Sequence, residues 1–325
     1  MSQRGLLAAI FALLLHPAAG IAQQTAVPVV GLLDSSSPEV FQREVAGFRE
    51  GLAQGGFIEG DNAKIEYRWA RGHYEQLPAL ASELVGIPVA VIAATGVTAA
   101  LASQKATSTT PIVFQTGGDP VKFGLVASLA RPGGNVTGVV SLGKILGPKQ
   151  FELLHEMVPK ANPIAFLANP KNGVVKSDTE SMRRAAHSKG VRLEIIEATN
   201  DGEIDSAFAA ALEQHARGLV VQVDPFLDGR REQIAALATR YELPAVGSHP
   251  EFAASGGLLS YGNSLPEVYR LQGQYVARIL KGEKPAVMPV QQSAKVEMVL
   301  NLKTAKMLGL TVPQSLVARA DEVIE

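Results

Sequence analysis

Short apolar runs alternate with amphipathic segments from about residue 27 to the end of the chain. Residues 27–33 are almost continuously apolar, which is typical of a parallel strand buried on both faces. Ser37 and Pro38 then carry the signals of a helix start, with serine as N-cap and proline in the first turn. One face of that helix would carry the apolar residues that follow at spacings of three and four: Phe41, Val45, Phe48 and Leu52.

The same alternation of apolar runs and amphipathic segments predicts two successive sets of strands and helices. In the first set we predict strands at 63–69, 89–93 and 111–115 and helices at 74–85 and 97–106. In the second set we predict strands at 164–168, 191–197, 218–223 and 243–247, with helices that include 204–212 and 230–242. Ser177 and Glu180 have the spacing of a capping box for a helix that reaches Lys189.

A stretch rich in glycine and proline, residues 131–150, separates the two sets, and a helix at 148–158 opens the second one. Strand–helix–strand units specify a parallel sheet with helices on both faces. We therefore predict an α/β protein of two Rossmann-like lobes with parallel sheets and a ligand cleft between the lobes. Ligands of such open sheets lie beyond the carboxyl ends of the strands.

Polar residues and glycines gather directly after the predicted strands. Our candidate ligand-binding residues are Asp34, Ser35, Ser36, Thr95, Gly96, Thr98, Thr116, Gly117 and Gly118 in the first lobe and Asn169, Asn172, Asp224, Phe226, His249 and Tyr261 in the second. Glycine lets a ligand approach the backbone, and helix N-termini favour anions, so the threonines and glycines of the first lobe suit a carboxylate. The same residue types also form helix caps and turns, and this structural role remains the alternative for each of them.

Other ligand groups have candidates as well. An ammonium group could be held by Asp34, Asp119 or Asp224, and an apolar or aromatic body could pack on Trp69, Phe226, Phe252 or Tyr261. His249 is the histidine that falls at a predicted strand end.

The first 22 residues have the pattern of a secretory signal peptide. Arg4 precedes the apolar run 5–15, and small residues at 18–22 supply a cleavage site, which we place after Ala22. The alternative is a membrane anchor or a buried helix, but the run is shorter than the roughly 20 residues that span a bilayer. No cysteine follows for lipid attachment. We expect a soluble protein in the periplasm.

Composition narrows the function classes. Lys plus Arg number 30 and Asp plus Glu 31, a net charge of -1, which argues against the electropositive surface of a nucleic-acid binder. The chain has no cysteine, which excludes thiol catalysis, cysteine-ligated metals and a disulfide scaffold. The sequence also lacks G-x-S-x-G, G-x-G-x-x-G, Walker and H-E-x-x-H motifs. We expect no enzyme activity, no cofactor and no metal site.

Several runs of residues together resemble one family. They are 36–39, 66–70, 117–122, 129–138, 279–285, 301–306 and 318–324. Through them the chain from Val27 to Glu325 resembles the substrate-binding proteins of ABC importers, in the group associated with tryptophan and tyrosine uptake. The resemblance implies the type I periplasmic binding protein fold, whose two lobes close on a small molecule and dock on a permease in the inner membrane that a separate ATPase drives. We expect a monomer.

In this fold the chain crosses between lobes three times, and we place the crossings near 141, 260 and 292. Lobe 1 would comprise 27–141 plus 260–291, and lobe 2 would comprise 142–259 plus 292–325. A helix carrying Val268, Leu271, Tyr275 and Ile279 would return to lobe 1, and a strand at 296–300 would return to lobe 2.

The expected function is capture of a small carboxylate-bearing solute, an amino acid that could be aromatic. Relatives commonly place an aromatic and an acidic residue where this chain has residues 247–250, so another amino acid or an aromatic carboxylate stays open as ligand. An exported α/β enzyme using Asp34, Asp119, Asp224 or His249 is a less favoured alternative, as is a transcription regulator on the same scaffold. The export signal and the net charge both disfavour the regulator.

Overall fold

The computed structural model describes residues 27–141 and 143–325. The expected export signal at residues 1–22 and its cleavage site lie outside these residues. The described strands in chain order are β1 (Val29–Asp34), β2 (Lys64–Trp69), β3 (Val91–Thr95), β4 (Ile112–Thr116), β5 (Val136–Val140), β6 (Ile164–Ala168), β7 (Leu193–Glu197), β8 (Leu219–Val221), β9 (Ala245–Gly247), β10 (Leu259–Asn263), β11 (Gln291–Gln292), β12 (Val296–Asn301) and β13 (Glu322–Ile324).

The helices alternate with these strands. They are α1 (Gln42–Gln54), α2 (Leu77–Val85), α3 (Val97–Ala106), α4 (Gly143–Met157), α5 (Val175–Ser188), α6 (Asp201–Glu213), α7 (Pro225–Gly229), α8 (Arg231–Arg240), α9 (Pro250–Ala254), α10 (Leu265–Leu280), α11 (Leu302–Met307) and α12 (Gln314–Val317). A 3₁₀ turn, Tyr74–Gln76, leads into α2. Within the described ranges, none of the helices combines the length and the hydropathy of a membrane span.

The strands form two sheets. The first has six strands in the order β11-β5-β4-β3-β1-β2, and the second has seven in the order β13-β12-β10-β9-β8-β6-β7. The strand pairs are parallel except for β10 with β12. We call the first sheet with α1, α2, α3 and α10 lobe 1, and the second sheet with the other helices lobe 2. The prediction of an α/β protein built on two parallel sheets is confirmed.

The predicted elements all have counterparts within a few residues, but several ends differ. The helix expected to start at Ser37 begins at Gln42, because the residues before it form a turn instead. The capping box at Ser177 is wrong: α5 begins at Val175, so Ser177 lies inside the helix and its hydroxyl donates to the Val174 carbonyl. The helix expected from residue 148 begins at Gly143 and contains Pro148.

The sequence pattern did not indicate strand β5, because this strand lies within the stretch rich in glycine and proline. Gly138 lies in the middle of β5, and a Cβ at this position would overlap the Phe114 carbonyl oxygen of the neighbouring strand. The glycine therefore permits close strand approach, whereas the sequence favoured a connection.

The chain passes between the lobes after β5, after β10 and after β11. Strand β10 pairs with β9 and β12, so residues 260–263 belong to the second sheet rather than to lobe 1, where we expected them. The second crossing therefore follows Asn263. Helix α10 packs against α1, and β12 lies in the second sheet.

Three groups of buried apolar side chains form the core. One lies between the lobe 1 sheet and the α1–α10 pair, and another lies within lobe 2. The third group is continuous across both lobes and includes Leu33 and Phe114 of lobe 1 with Phe208 and Phe226 of lobe 2. The lobes therefore share apolar packing on one side of the molecule.

Helices α1 and α10 approach each other closely because glycines lie where they cross. A Cβ at Gly47 or Gly51 of α1 would overlap the carbonyl oxygen of Pro266 or Arg270, and one at Gly273 of α10 would overlap that of Phe48. This approach lets α10 reach the sheet, where the Gln272 amide donates to the carbonyls of Ala94 and Val113.

We predict that Gly51→Ala lowers the free energy of unfolding by about 1–3 kcal/mol, because the added methyl group forces the two helices apart. Thermal and urea unfolding measure the change. The matched control is Gly202→Ala on the exposed start of α6, where a Cβ meets only an ordinary contact. Equal melting temperatures for both variants would show that Gly51 is not required for the close approach of α1 and α10.

Candidate ligand-binding site

A cavity of about 90 Å³ lies between the lobes, beyond the carboxyl ends of β3 and β4. It lies next to two of the crossings between lobes, because Ser141 and Leu265 contribute to its wall. Its lining residues are Phe41, Thr95, Gly96, Val97, Gln115, Thr116, Gly117, Ser141, Asn172, Val174, Asp178, Val223, Pro225, Asp228, His249 and Leu265.

The lobe 1 wall is built around the N-terminus of α3. Gly96 precedes the helix with φ of +88°, a conformation that glycine adopts without strain, and so turns the chain sharply from β3 into α3. The first-turn N–H groups of a helix have no partners within it and carry partial positive charge. The Thr95 hydroxyl, which lines the cavity, is buried and has no hydrogen-bond partner among the described residues. This wall offers donors to an anion.

The loop after β4 continues this wall. The Gly118 amide donates to the Thr116 hydroxyl at 3.0 Å, which holds the turn that presents Gly117 to the cavity. Phe41, Val97 and Leu265 supply apolar surface on the same side. The lobe 1 wall therefore combines hydrogen-bond donors with an apolar strip.

The lobe 2 wall carries acidic groups. Burial raises the pKa of Asp178 to about 6, although the Gln222 side chain donates to its carboxylate at 2.9 Å. Asp228 lies 3.1 Å from Nε2 of His249. Burial opposes protonation of His249, yet the neighbouring carboxylates of Asp228 and Glu44 leave its pKa raised. Neither lysine nor arginine is among the lining residues, so this wall suits a cationic group.

Asp34 and Asp224 are buried behind the cavity and bound to protein donors. Asp34 accepts hydrogen bonds from the amide and the hydroxyl of Ser36 and, at 2.7 Å, from the Tyr269 hydroxyl. Asp224 caps α7 through the Leu227 amide. Burial raises the pKa of both carboxyls. Neither of these two candidates for holding a ligand ammonium lines the cavity.

The lobes contact each other directly around the cavity. Across the seam, the Tyr74 hydroxyl of lobe 1 donates to Asp224 of lobe 2 at 2.6 Å. The Phe226 ring packs against Gly72, and Arg43 of α1 pairs with Glu251 of α9. In this structure, the two lobes are therefore in direct contact with each other.

The structure divides the candidate residues from the sequence into two groups. Those that line the cavity are Thr95, Gly96, Thr116, Gly117, Asn172 and His249. Those that do not are Asp34, Ser35, Ser36, Thr98, Gly118, Asn169, Asp224, Phe226 and Tyr261. Most of the second group have structural partners instead, such as the Asn169 amide, which donates to Asp224, and the Tyr261 carbonyl, which accepts from Gln150.

The cavity also has acidic residues that the sequence analysis missed. Asp178 and Asp228 lie on helices, whereas the pattern of polar residues directly after strands indicates neither of them. A signal for Asp178 exists: it precedes the buried residues Met182 and Ala186 at spacings of four, so it shares the inward face of α5. Among the described residues, no group of three or more His, Asp and Glu side chains is arranged to hold a metal ion.

Comparisons with known proteins agree with this architecture. A curated protein of Clostridioides difficile (strain R20291), described as "Tyrosine-binding protein", is 27% identical over 266 residues, which are 81% of this chain and 76% of that protein. The crystal structure of a conserved domain protein from Vibrio cholerae has a TM-score of 0.85 and 27% identity, covering 91% of this chain and 99% of the other.

A further structure, the ABC domain in complex with L-Trp from Streptococcus pneumoniae, has a TM-score of 0.83 and 25% identity, again over 91% of this chain and 99% of the other. The fold is that of type I periplasmic binding proteins. A family profile described as ABC transporter substrate binding protein matches residues 30–324. The resemblance seen in the sequence is confirmed: this chain belongs to the ABC transporter substrate binding protein family.

Proposed function

We propose that this protein is the periplasmic receptor of an ABC importer and that it captures an α-amino acid between its lobes. The observation that carries the proposal is the opposition of two walls across one cavity. The lobe 1 wall presents the N-terminus of α3 and the Thr95 hydroxyl, and the lobe 2 wall presents Asp178. A zwitterion with one carboxylate and one ammonium group matches these two walls.

The carboxylate would lie at the start of α3, where Thr95, Gly96 and Gly117 surround it. Hydrogen bonds to a charged group contribute about 1.5–3 kcal/mol each. The ammonium group would pair with Asp178, whose partial burial strengthens the interaction. A micromolar complex needs only about 8 kcal/mol in total, so a few such contacts and the burial of one apolar body are sufficient.

The relatives suggest which amino acids to test first. The C. difficile relative is described as tyrosine-binding, and the pneumococcal structure holds L-Trp. Phe41 and Leu265 in lobe 1 and Val223 and Pro225 in lobe 2 offer apolar contacts to a side chain. We propose an aromatic amino acid as the ligand, and we retain an aromatic carboxylate without an amine as the alternative.

The contacts across the seam support capture by lobe closure. Separation of the lobes would break the bond between Tyr74 and Asp224 and the pair between Arg43 and Glu251. A ligand that contacts both walls stabilises the closed form in proportion to its differential affinity. We propose that the protein is exported through the signal at residues 1–22 and acts as a monomer. The closed form would deliver its ligand to a permease in the inner membrane, which a separate ATPase drives. The protein itself would catalyse no reaction.

The test of the function is a binding screen. Thermal shift and calorimetry with the protein amino acids and with aromatic carboxylates lacking the amine should show saturable 1:1 binding of an aromatic L-amino acid without turnover. A ligand that binds only the folded protein must raise its melting temperature. Binding of the amine-free acids alone would favour the alternative ligand class, and no binding in the whole panel would contradict the proposal.

We predict that Thr95→Val weakens amino-acid binding about 10- to 100-fold, because a hydrogen bond to the ligand carboxylate is lost while side-chain volume is kept. Calorimetry measures the dissociation constant. Thr109→Val, in the exposed loop before β4, is the matched control and should bind as the parent protein does. Equal affinities for the two variants would remove Thr95 from the site.

We predict that affinity for an amino acid falls as the pH drops through about 6, the pKa of Asp178. The carboxylate is charged above this pH and neutral below it, so the attraction to an ammonium group is present at higher pH and lost at lower pH. Asp178→Asn should bind weakly at neutral pH and lose this part of the pH dependence.

The exposed Asp61→Asn is the control for charge removal and should keep the parent profile. Calorimetric titrations over a series of pH values give both profiles. An Asp178→Asn variant with unchanged affinity at neutral pH would show that Asp178 does not contact the ammonium group.

We predict that Tyr74→Phe weakens ligand binding several-fold, because closure then leaves the buried Asp224 carboxylate without its lobe 1 donor. Small-angle scattering should show a larger fraction of open molecules at subsaturating ligand. Tyr67→Phe is the matched control, since the Tyr67 hydroxyl contacts Glu59 within lobe 1. If Tyr74→Phe and Tyr67→Phe bind equally well, the bond across the seam does not contribute to closure.

A further inference from the structure

One ring in the cavity wall has a polar atom that neither the fold nor the proposed amino-acid contacts use. His249 immediately precedes α9, lines the cavity and has a side chain only 10% exposed. Its Nε2 atom lies 3.1 Å from Asp228 Oδ2. Its Nδ1 atom is buried and has no hydrogen-bond partner among the residues of the described ranges. A buried nitrogen without a partner costs about 1–3 kcal/mol, so its presence in a binding cavity requires an explanation.

The pairing with Asp228 determines what Nδ1 can do. A carboxylate only accepts hydrogen bonds, so Nε2 carries the proton that points to Asp228. In the neutral ring, the other nitrogen is then an acceptor. Asp228 therefore orients the ring and leaves Nδ1 ready to accept a hydrogen bond from a donor brought by the ligand.

This acceptor is distinct from the groups assigned to the amino-acid backbone of the ligand. The carboxylate is assigned to α3 and Thr95 in lobe 1, and the ammonium group to Asp178 on α5, whereas His249 precedes α9. Phe41, Val223 and Pro225 contribute apolar surface to the same cavity. His249 therefore adds a third polar group to a cavity that also has apolar surface. Such a group is suited to the end of a ligand side chain that lies away from the amino-acid backbone.

We propose that His249 is a specificity-determining residue that selects amino acids whose side chain ends in a hydrogen-bond donor, such as a phenol hydroxyl or an indole N–H. The inference rests on the proposed function, because it presumes that the cavity binds an amino acid. An apolar side chain of the same size fills the space but leaves Nδ1 unpaired. Sites that hydrogen-bond a substrate hydroxyl reject the analogue without it for this reason.

The charges around the ring determine the conditions of the test. Asp228 on α7, Glu251 beside it on α9 and Glu44 on α1 of lobe 1 favour a protonated ring, and Arg43 pairs with Glu251. A protonated ring would make Nδ1 a donor and reverse the preference. The affinities are therefore measured over a series of rising pH values, and the preference for tyrosine should grow as the ring loses its second proton.

The experiment compares three ligands that share one ring: L-tyrosine, O-methyl-L-tyrosine and L-phenylalanine. O-methyl-L-tyrosine keeps the oxygen and removes the donor. We expect the parent protein to bind tyrosine about tenfold or more tightly than either analogue. His249→Leu should bring the tyrosine and phenylalanine affinities within about twofold of each other and leave phenylalanine binding nearly unchanged. Calorimetry gives the affinities, and thermal unfolding verifies that each variant folds.

Two further variants make the result specific to the accepting nitrogen. His249→Asn keeps an acceptor oxygen near the position of Nδ1 and should retain part of the tyrosine preference. His155→Leu is the matched control, since His155 on α4 also has an unpartnered Nδ1 but lies outside the cavity lining. It should keep the full preference.

Equal affinity of the parent protein for tyrosine and phenylalanine would overturn the inference, as would a preference that survives His249→Leu. Either result leaves the proposed function standing, because amino acids still bind. If the parent protein binds none of the three ligands or any other amino acid in the screen, the proposed function itself fails. Should His249→Leu not fold, the test is the reduced tyrosine preference of His249→Asn together with the weaker binding of O-methyl-L-tyrosine to the parent protein, and an unchanged preference in His249→Asn with equal binding of both ligands would overturn the inference.

Discussion

The Asp224 carboxylate connects the parts of the molecule that form the cavity. It accepts hydrogen bonds from the Asn169 and Asn172 side chains after β6, from the Leu227 amide of α7 and from the Tyr74 hydroxyl of the opposite lobe. A buried carboxylate is costly unless such donors satisfy it. The network therefore specifies the positions of two lobe 2 segments, and its full satisfaction also requires lobe 1. The contact between the lobes and the shape of the lobe 2 wall therefore involve the same carboxylate.

Lobe 1 uses a related arrangement at the end of β1. Asp34 is buried and accepts from Ser36 and from Tyr269 of α10, and α10 can reach this point because glycines allow it to cross α1 closely. Thr95 on β3 is the strand neighbour of Asp34, and the Thr95 hydroxyl has no hydrogen-bond partner among the described residues. The Asp34 carboxylate organises the strand ends. The Thr95 hydroxyl stays without a protein partner in the described part of the chain and lies at the cavity wall.

The buried hydrogen-bonded groups and the groups on the cavity wall have separate roles. This separation explains how binding selectivity can differ between proteins of one fold. The deeply buried pairs hold backbone segments in place, and changes there affect the whole fold. Asp178, Asp228 and His249 lie one layer further out, on the cavity wall. Substitutions in this layer alter the charge and hydrogen-bonding pattern offered to a ligand with less effect on folding. A family that shares its fold can thus bind different solutes.

The alternation of apolar runs and amphipathic segments was sufficient to predict two parallel-sheet lobes, since burial of strands on both faces leaves a clear local pattern. It also pointed to the carboxyl ends of the strands, beyond which the cavity lies. It could not separate Thr95 and Thr116, which line the cavity, from Asp34 and Asp224, which bind protein donors, because all four follow strands. Nor could it find Asp178 and Asp228, whose helices face the cavity only in the assembled molecule. Partner choice and burial arise from contacts between residues far apart in the chain, and therefore only the tertiary structure decided which polar groups remain for a ligand.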